Sequence, residues 1–358
     1  MKTTADKETL HEIASAFDTG SEAVYLEPFG SGHINRTFRI TCRDGRRFIL
    51  QMISKTLTDY PDKLMDNIVY VTNHLRSKEQ DPRKVLTPVF TRTSLSLLSL
   101  PSGSWRMYRY VEDSFCPEGI GTEEEFYLAA SAFGKFEEQL SDFDPSLLFE
   151  SLPDFHNTPF RFRQFHEALN KNAAGRKEGV SREIEFLLAH EEEAGMLQRM
   201  RESGELPVRV THNDTKLNNI LFDRKTGKPL CVIDLDTVMP GLSLYDFGDA
   251  IRFGASTASE DEKDLEKVTL SLHRYRIFRK GFQEACPGLT PLERELLPLG
   301  AKVITTEQAA RFLTDYLNGD RYYQISYEEQ NLNRTRTQIR LVQEMERNWA
   351  AMNLNAEL

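Results

Sequence analysis

The segment His212-Asn213-Asp214-Thr215-Lys216-Leu217-Asn218-Asn219 is followed, across one short hairpin's worth of residues, by Ile233-Asp234-Leu235-Asp236. An acid, an amide five positions later and a second acid at the end of an apolar strand are the parts that phosphoryl transfer requires. That reaction asks little covalent chemistry of a protein, so catalysis is positioning plus neutralisation of charge. Asp214 suits the acceptor, because a carboxylate within hydrogen-bond reach aligns an alcohol and takes its proton. Asn219 offers an uncharged oxygen ligand to Mg2+ and Asp234 a carboxylate, in keeping with an ion that takes one or two carboxylates besides phosphates. Lys216, two residues beyond the base, points the same way in an extended loop and can meet the transferred phosphate. A lone Asp-x-x-x-x-Asn is weak, since a polar turn also produces it; the acid-terminated strand gives the pair its weight. His212 is expected to brace the loop rather than react.

Gly30-Ser31-Gly32-His33-Ile34-Asn35 lies between two strand candidates. Glycines there let backbone N–H groups approach phosphate without obstruction by a Cβ, although a plain hairpin turn accounts for Gly30 and Gly32 about as well. The chain contains no Gly-x-x-x-x-Gly-Lys-Ser/Thr loop, which argues against a P-loop nucleotide site.

The elements that must position these groups fall into two regions. Val24 to Leu26, Thr37 to Thr41, Phe48 to Ile53 and Trp105 to Val111 read as strands, with the turn signal Asp44-Gly45 between two of them. Leu64, Ile68, Val71 and Leu75 fall on one face of a helix. From Thr122 the pattern turns helical: Thr122-Glu123-Glu124-Glu125 is a capping box, and Ser181 is a candidate cap for a further helix. Helices are expected over about 260–282, 291–317 and 334–349. The expected fold is α+β and two-lobed, a small antiparallel β lobe over residues 1–112 and a larger, mainly helical lobe over 113–358 that carries the acidic motifs.

The whole chain fits this division. Its 358 residues exceed what a single core usually supports. A formal charge of −10 argues against a nucleic-acid binder, yet Mg2+ and a few placed cations still allow ATP. Cys42, Cys116, Cys231 and Cys286 lie far apart and suggest reduced, mostly packed thiols rather than a zinc site or disulfide framework. The polar N-terminus and the absence of a long apolar run point to a cytoplasmic protein without a membrane partner, and a monomer is expected.

Three motifs carry a family resemblance: Thr211 to Leu221, Ile233 to Gly241, and Asp246-Phe247-Gly248-Asp249-Ala250-Ile251-Arg252-Phe253-Gly254. The chain resembles the aminoglycoside phosphotransferase and choline kinase superfamily, relatives of protein kinases, and more narrowly the bacterial N-acetylhexosamine 1-kinases. The likeness runs from Phe29 to Gln338. It implies ATP- and Mg2+-dependent phosphorylation of the anomeric hydroxyl of N-acetylglucosamine or N-acetylgalactosamine. Asp214 would be the base and Asn219 and Asp234 the metal ligands. His33, Asp236, Arg311 and Tyr322 would lie at the sugar. Gly30, Gly32, Asn35 and Gln51 would face the nucleotide, with Tyr110-Val111-Glu112 as the hinge at adenine. Without the resemblance, Arg311 is a helix-surface residue and Tyr322 a loop aromatic; His156 is read as structural.

One departure stands out. Where protein kinases carry a strand lysine for the α- and β-phosphates, this chain has Gln51, which can donate hydrogen bonds but brings no charge. The alternatives are a kinase of an amino alcohol, an aminoglycoside or homoserine, for which Asp236, Asp246 and Asp249 could face a cation, and an inactive kinase-like binding module.

Overall fold

The computed structural model describes residues 4–30, 35–55, 57–117, 119 and 121–354. The chain begins with α1 (Thr4–Ser15), β1 (Ala23–Pro28), β2 (Arg36–Cys42), β3 (Arg47–Ile53) and α2 (Pro61–Lys78). Strands β4 (Pro88–Val89), β5 (Leu98–Leu100), β6 (Gly103–Arg109) and β7 (Ser114–Phe115) follow. Helices α3 (Glu123–Gln139), α4 (Thr158–Lys171), α5 (Ser181–Ala194) and α6 (Met196–Ser203) lead to β8 (Arg209–Thr211), β9 (Ile220–Asp223), β10 (Pro229–Val232) and β11 (Met239–Gly241). The chain then closes with α7 (Ser243–Gly254), α8 (Leu272–Ala285), α9 (Pro291–Leu317), α10 (Gln330–Arg347) and α11 (Trp349–Asn353). This is the α+β arrangement expected, with an antiparallel N-terminal sheet and a helical C-terminal part. No helix among the described residues is long and apolar enough to cross a membrane, and the four cysteines are free.

Two compact units emerge. The first comprises Met1–Phe115, Phe143–Pro153 and Leu221–Met239; the second comprises Cys116–Asp142, Asp154–Ile220 and Pro240–Leu358. In the first, the sheet runs β1-β2-β3-β6-β4, with β5 also paired to β6. Strand β2 shows why it forms: Phe38, Ile40 and Cys42 alternate inward while the residues between them stay at least half-covered or open. That face takes α1, whose Leu10, Ile13 and Ala14, with Phe17 just beyond the helix, pack with Phe48, Leu50, Trp105 and Met107. Gly45, at φ +85°, makes the β2–β3 turn that Asp44-Gly45 signals.

The first unit differs from the expected division at residue 112 because it recovers the segment bearing Asp234 and Asp236. Three local ties explain this. β9 pairs with β7, setting Ser114 opposite Asp223 and Phe115 opposite Phe222. Arg83 reaches Asp223 at 2.8 Å. The buried Asn67 on α2 donates to the Val238 carbonyl at 3.1 Å. None of these pairings is local in sequence, so no local pattern announces them.

In the second unit α9 is central, and its face Ala309, Ala310, Leu313 and Leu317 packs with Phe162 and Phe165 of α4, Leu187 of α5 and Leu332 of α10. Helices α7 and α9 approach closely through glycine: a Cβ on Gly248 would meet the Gly300 carbonyl at 2.5 Å, and one on Gly300 the Leu244 carbonyl at 2.5 Å. The Thr122–Glu125 capping box is present at α3, as expected. Two expectations need correcting. Ser181 is the first residue of α5 rather than its cap, and its hydroxyl turns back to the Glu178 carbonyl. The helix expected from 260 starts only at Leu272, capped by Ser271. Hydroxyls and a carboxylate compete for the backbone before it: Thr257 Oγ1 donates to the Lys267 carbonyl at 2.6 Å and accepts from the Thr269 amide at 2.9 Å, while Asp264 caps a 3-10 turn.

Candidate active site

The loop after β8 is braced from several sides within the second unit. Asp246, at the start of α7 and fully buried, accepts the backbone N–H groups of His212 at 2.7 Å and Asn213 at 2.6 Å. Thr215 donates its hydroxyl to the Asp246 carbonyl at 2.5 Å and its amide to Asp249 at 3.1 Å. His212 is buried against the edges of Phe133 and Phe136, and its Nδ1 accepts the Asp214 amide at 3.2 Å. Its bracing role is the one expected of it. Asn213 takes a left-handed backbone at φ 64°, which Asn tolerates better than most residues, so the chain turns sharply just before Asp214. Asp246 and Asp249 therefore hold the loop, with Asp249 also bound to Arg252 at 2.9 Å. They do not form an acidic display for a cationic acceptor.

Asp214, Lys216 and Asn219 are brought together on this loop. Asp214 meets the Lys216 ammonium at 3.1 Å and accepts the Asn219 side-chain amide at 3.0 Å, and its own side chain keeps 27% exposure. Burial would push the Asp214 carboxyl up, but Lys216, His212 and Asn219 outweigh it and hold the group below its ordinary value. The residue is thus a carboxylate at neutral pH and open to an approaching alcohol. With Nδ2 of Asn219 spent on Asp214, the amide oxygen is left as the acceptor that a hard cation would use.

A second cluster lies wholly in the first unit. Asp234 sits at φ 60° and starts the 3-10 turn Leu235–Thr237 that carries Asp236. Asp236 is buried, with one carboxylate oxygen on the Asn35 amide at 2.7 Å and the other on the Arg106 guanidinium. Gln51 accepts from Arg106 Nε at 3.0 Å and donates to Thr37 at 3.0 Å. Asn35, Gln51 and Asp236 are thus joined through Arg106, a residue that the sequence did not single out. Its signal was present: a cation in mid-strand at Trp105 to Arg109, on the face opposite the core residues Trp105 and Met107. Around the expected hinge, Glu112 accepts from Arg47 Nε at 3.0 Å and Arg47 lies 4.6 Å from the Tyr110 ring centre. Gly30 has a left-handed backbone with nothing within 4 Å of a Cβ position. Gly32 and His33 fall outside the described residues.

Arg311 and Tyr322 line one cavity of about 270 Å³ in the second unit, together with Arg161, Gln164, Lys171 and Asp315. Tyr322 is 67% exposed, and its amide, with those of Arg321 and Tyr323, caps the Asp315 carboxylate. Arg161 donates to the Phe155 carbonyl at 2.9 Å and to Gln164 at 3.1 Å. The Arg311 side chain is only 11% exposed, yet its ion-pair partner among the described residues, Glu307, stands 3.8 Å away, beyond hydrogen-bond distance. Glu307 is already engaged by His156 Nδ1 at 3.0 Å and Thr158 at 2.7 Å, and His156 Nε2 reaches the Asn213 carbonyl at 3.2 Å. His156 is structural, as read from the sequence, and it ties Glu307 of α9 to the loop after β8.

Among the described residues no group of three or more His, Cys, Asp or Glu side chains is arranged to hold a metal by itself. Solved structures resemble this fold over nearly the whole chain. A microcompartment-associated aminopropanol kinase matches with a TM-score of 0.65 and 17% identity, covering 98% of this chain and 99% of that one. A spectinomycin phosphotransferase solved with ADP and spectinomycin matches at 0.59 and 12%, covering 95% and 98%. A choline kinase from Streptococcus pneumoniae matches at 0.56 and 12%, covering 96% and 100%. At these identities the likeness establishes the fold, that of kinases of small molecules. Residues 26–274, which include the loop after β8, the acid-bearing turn and α7, match the phosphotransferase enzyme family, and the chain belongs to it.

Proposed function

We propose that this protein transfers the γ-phosphoryl group of ATP to the C1 hydroxyl of an N-acetylhexosamine. The observation that carries the acceptor assignment is Arg311, a nearly buried guanidinium lining the cavity with no hydrogen bond to the described residues. A guanidinium has five N–H donors, and leaving them unmet in a buried place is costly unless a ligand meets them. An acetamido carbonyl and sugar hydroxyls are such ligands. An amino alcohol or aminoglycoside would instead bring an ammonium among Arg161 and Arg311. The cavity acids do not offset this, because Asp315 is capped by three backbone amides and Asn331, and Glu167 is paired with Lys171 at 3.2 Å.

On this reading Asp214 aligns the C1 hydroxyl and collects its proton late, as a loose transition state requires. Lys216 holds the carboxylate ionised and stands beside the transferred group. The oxygen donors of Asn219 and Asp234 suit Mg2+, which when bound neutralises charge on the phosphates. Tyr110-Val111-Glu112 is assigned to adenine.

The test is incubation of purified protein with Mg-ATP and a panel of free sugars and amino alcohols, with NMR location of phosphate on any product. N-acetylglucosamine or N-acetylgalactosamine should give a non-reducing, acid-labile 1-phosphate, and the methyl glycoside, whose 6-hydroxyl is free, should give nothing. Phosphate on C6, turnover of the methyl glycoside, or preference for 3-aminopropanol or choline would overturn the anomeric assignment.

A further inference from the structure

Protein kinases carry a strand lysine and a helix glutamate whose ion pair must be in place for nucleotide to be held productively. Neither partner occurs here where it would be sought. Gln51 occupies the strand position, and α2 presents the buried Asn67, whose amide donates to the Phe149 and Val238 carbonyls at 2.7 and 3.1 Å and accepts the Phe149 amide at 2.9 Å. The charge lies one strand over. In the β3–β6 register Gln51 faces Arg106, so both side chains project from the same side of the sheet, and Arg106 donates to Gln51 as well as to Asp236. Asp236 in turn belongs to the 3-10 turn whose first backbone step is Asp234. Its second oxygen is fixed by Asn35, whose own oxygen accepts the Ser54 amide at 3.0 Å. Thr37, Gln51, Arg106, Asp236, Asn35 and Ser54 form one continuous network in the first unit.

We infer that Arg106 is the positioning residue that replaces the strand lysine: paired with Asp236, it supplies the fixed positive charge of this site and locks the turn that presents Asp234 to the nucleotide's metal. The inference rests on the proposed ATP-dependent activity but not on the identity of the acceptor. A buried guanidinium that only filled space would be an expensive choice, since a well-packed apolar residue of similar volume is often as stable or more so. Its neighbours reinforce the charge: Asp236, Tyr108 and Asp234 hold Arg106 above its ordinary value against the effect of burial.

The experiment measures Mg-ADP binding by calorimetry, with thermal melting as the check on folding, so acceptor chemistry plays no part. Arg106→Gln should weaken Mg-ADP binding by roughly 10–100-fold, the span of one charged hydrogen bond, and raise the Mg2+ requirement. Gln51→Lys added to Arg106→Gln returns a cation to the neighbouring strand and should recover part of the affinity. Because Arg106→Gln leaves Asp236 buried and unpaired, the double variant Arg106→Met with Asp236→Leu is the control: it should melt near the parent temperature and still bind Mg-ADP weakly. Parent-like Mg-ADP binding by either folded variant, or no recovery on adding Gln51→Lys, would overturn the role of Arg106. Failure of the unaltered protein to bind Mg-ADP would instead overturn the ATP-dependent reading, and this role with it.

Discussion

Arg106 and Arg311 are both buried arginines, one in each compact unit, and they are treated in opposite ways. Arg106 is 1% exposed and enlisted by the protein, with a carboxylate and an amide as partners. Arg311 is 11% exposed and meets its nearest carboxylate only at 3.8 Å, while its guanidinium carbon lies 5.2 Å from the Phe155 ring centre. Burial of a charge is costly in both cases. Where the protein satisfies the charge itself, the group builds geometry; where donors are left over beside a cavity, they remain available to a ligand. The same contrast separates Asp246, whose oxygens are spent on backbone amides, from Asp214, which keeps an open side chain. Variants at these four positions should therefore split cleanly into those that lose activity and those that lose stability.

The largest effect is expected at Asp214. Asp214→Ala should lower kcat by about 10²–10⁴, the usual contribution of a positioned base, while nucleotide affinity and melting temperature hold. Near-parent turnover at saturating substrates would remove the base assignment. Asp246→Ala should do the reverse in kind, because it leaves two buried backbone N–H groups unpaired at about 1–3 kcal/mol each. Melting temperature should fall first, and kcat with it as the loop loosens. An Asp246→Ala protein that melts like the parent but fails to turn over would mean that Asp246 faces ligand after all.

Arg311→Ala should raise sugar KM by roughly 10–100-fold with ATP KM unchanged, the amount expected for one charged hydrogen bond to substrate. Arg311→Lys should recover little of it, since a point charge does not reproduce a planar fork of donors. If ATP KM rises equally, Arg311 belongs with the structure-building arginines and the comparison with Arg106 fails.

How much of this was legible beforehand depends on the range of the interaction. The strands alternate, the Asp44-Gly45 turn is encoded in two residues, and the Thr122–Glu125 capping box in four, so each could be read along the chain. The loop from His212 to Asn219 was equally readable, because acid and amide meet within it. What could not be read is what joins distant positions: Asp236 to Arg106 across 130 residues, Arg83 to Asp223 across 140, Asn67 to Val238 across 171. These ties decide which unit the second acidic motif joins. Residues 260–271 misled because their helical periodicity competes with Thr257 and Asp264, whose side chains capture the local backbone.

The smallest effect, and the finest test of the contrast, is electrostatic. Burial pushes the Asp214 carboxyl up, Lys216 is the foremost of the groups that together hold it down, and Lys216 is itself held above its ordinary value by that same carboxylate. A depressed carboxyl pKa stabilises the fold above the carboxyl's unfolded value, and the contribution is lost as pH falls through the folded one. It also keeps the base ionised well into mild acid. Lys216→Met leaves burial unopposed by the ammonium, so the Asp214 pKa should rise and the acid limb of kcat/KM should move to higher pH. Well above both values the ionisation difference disappears, and any remaining deficit measures what Lys216 contributes to the phosphoryl group directly. The shift should shrink in the parent at high salt, because Asp214 and Lys216 keep 27% and 41% exposure and are partly screened. An acid limb that does not move in Lys216→Met would show that another group sets the profile.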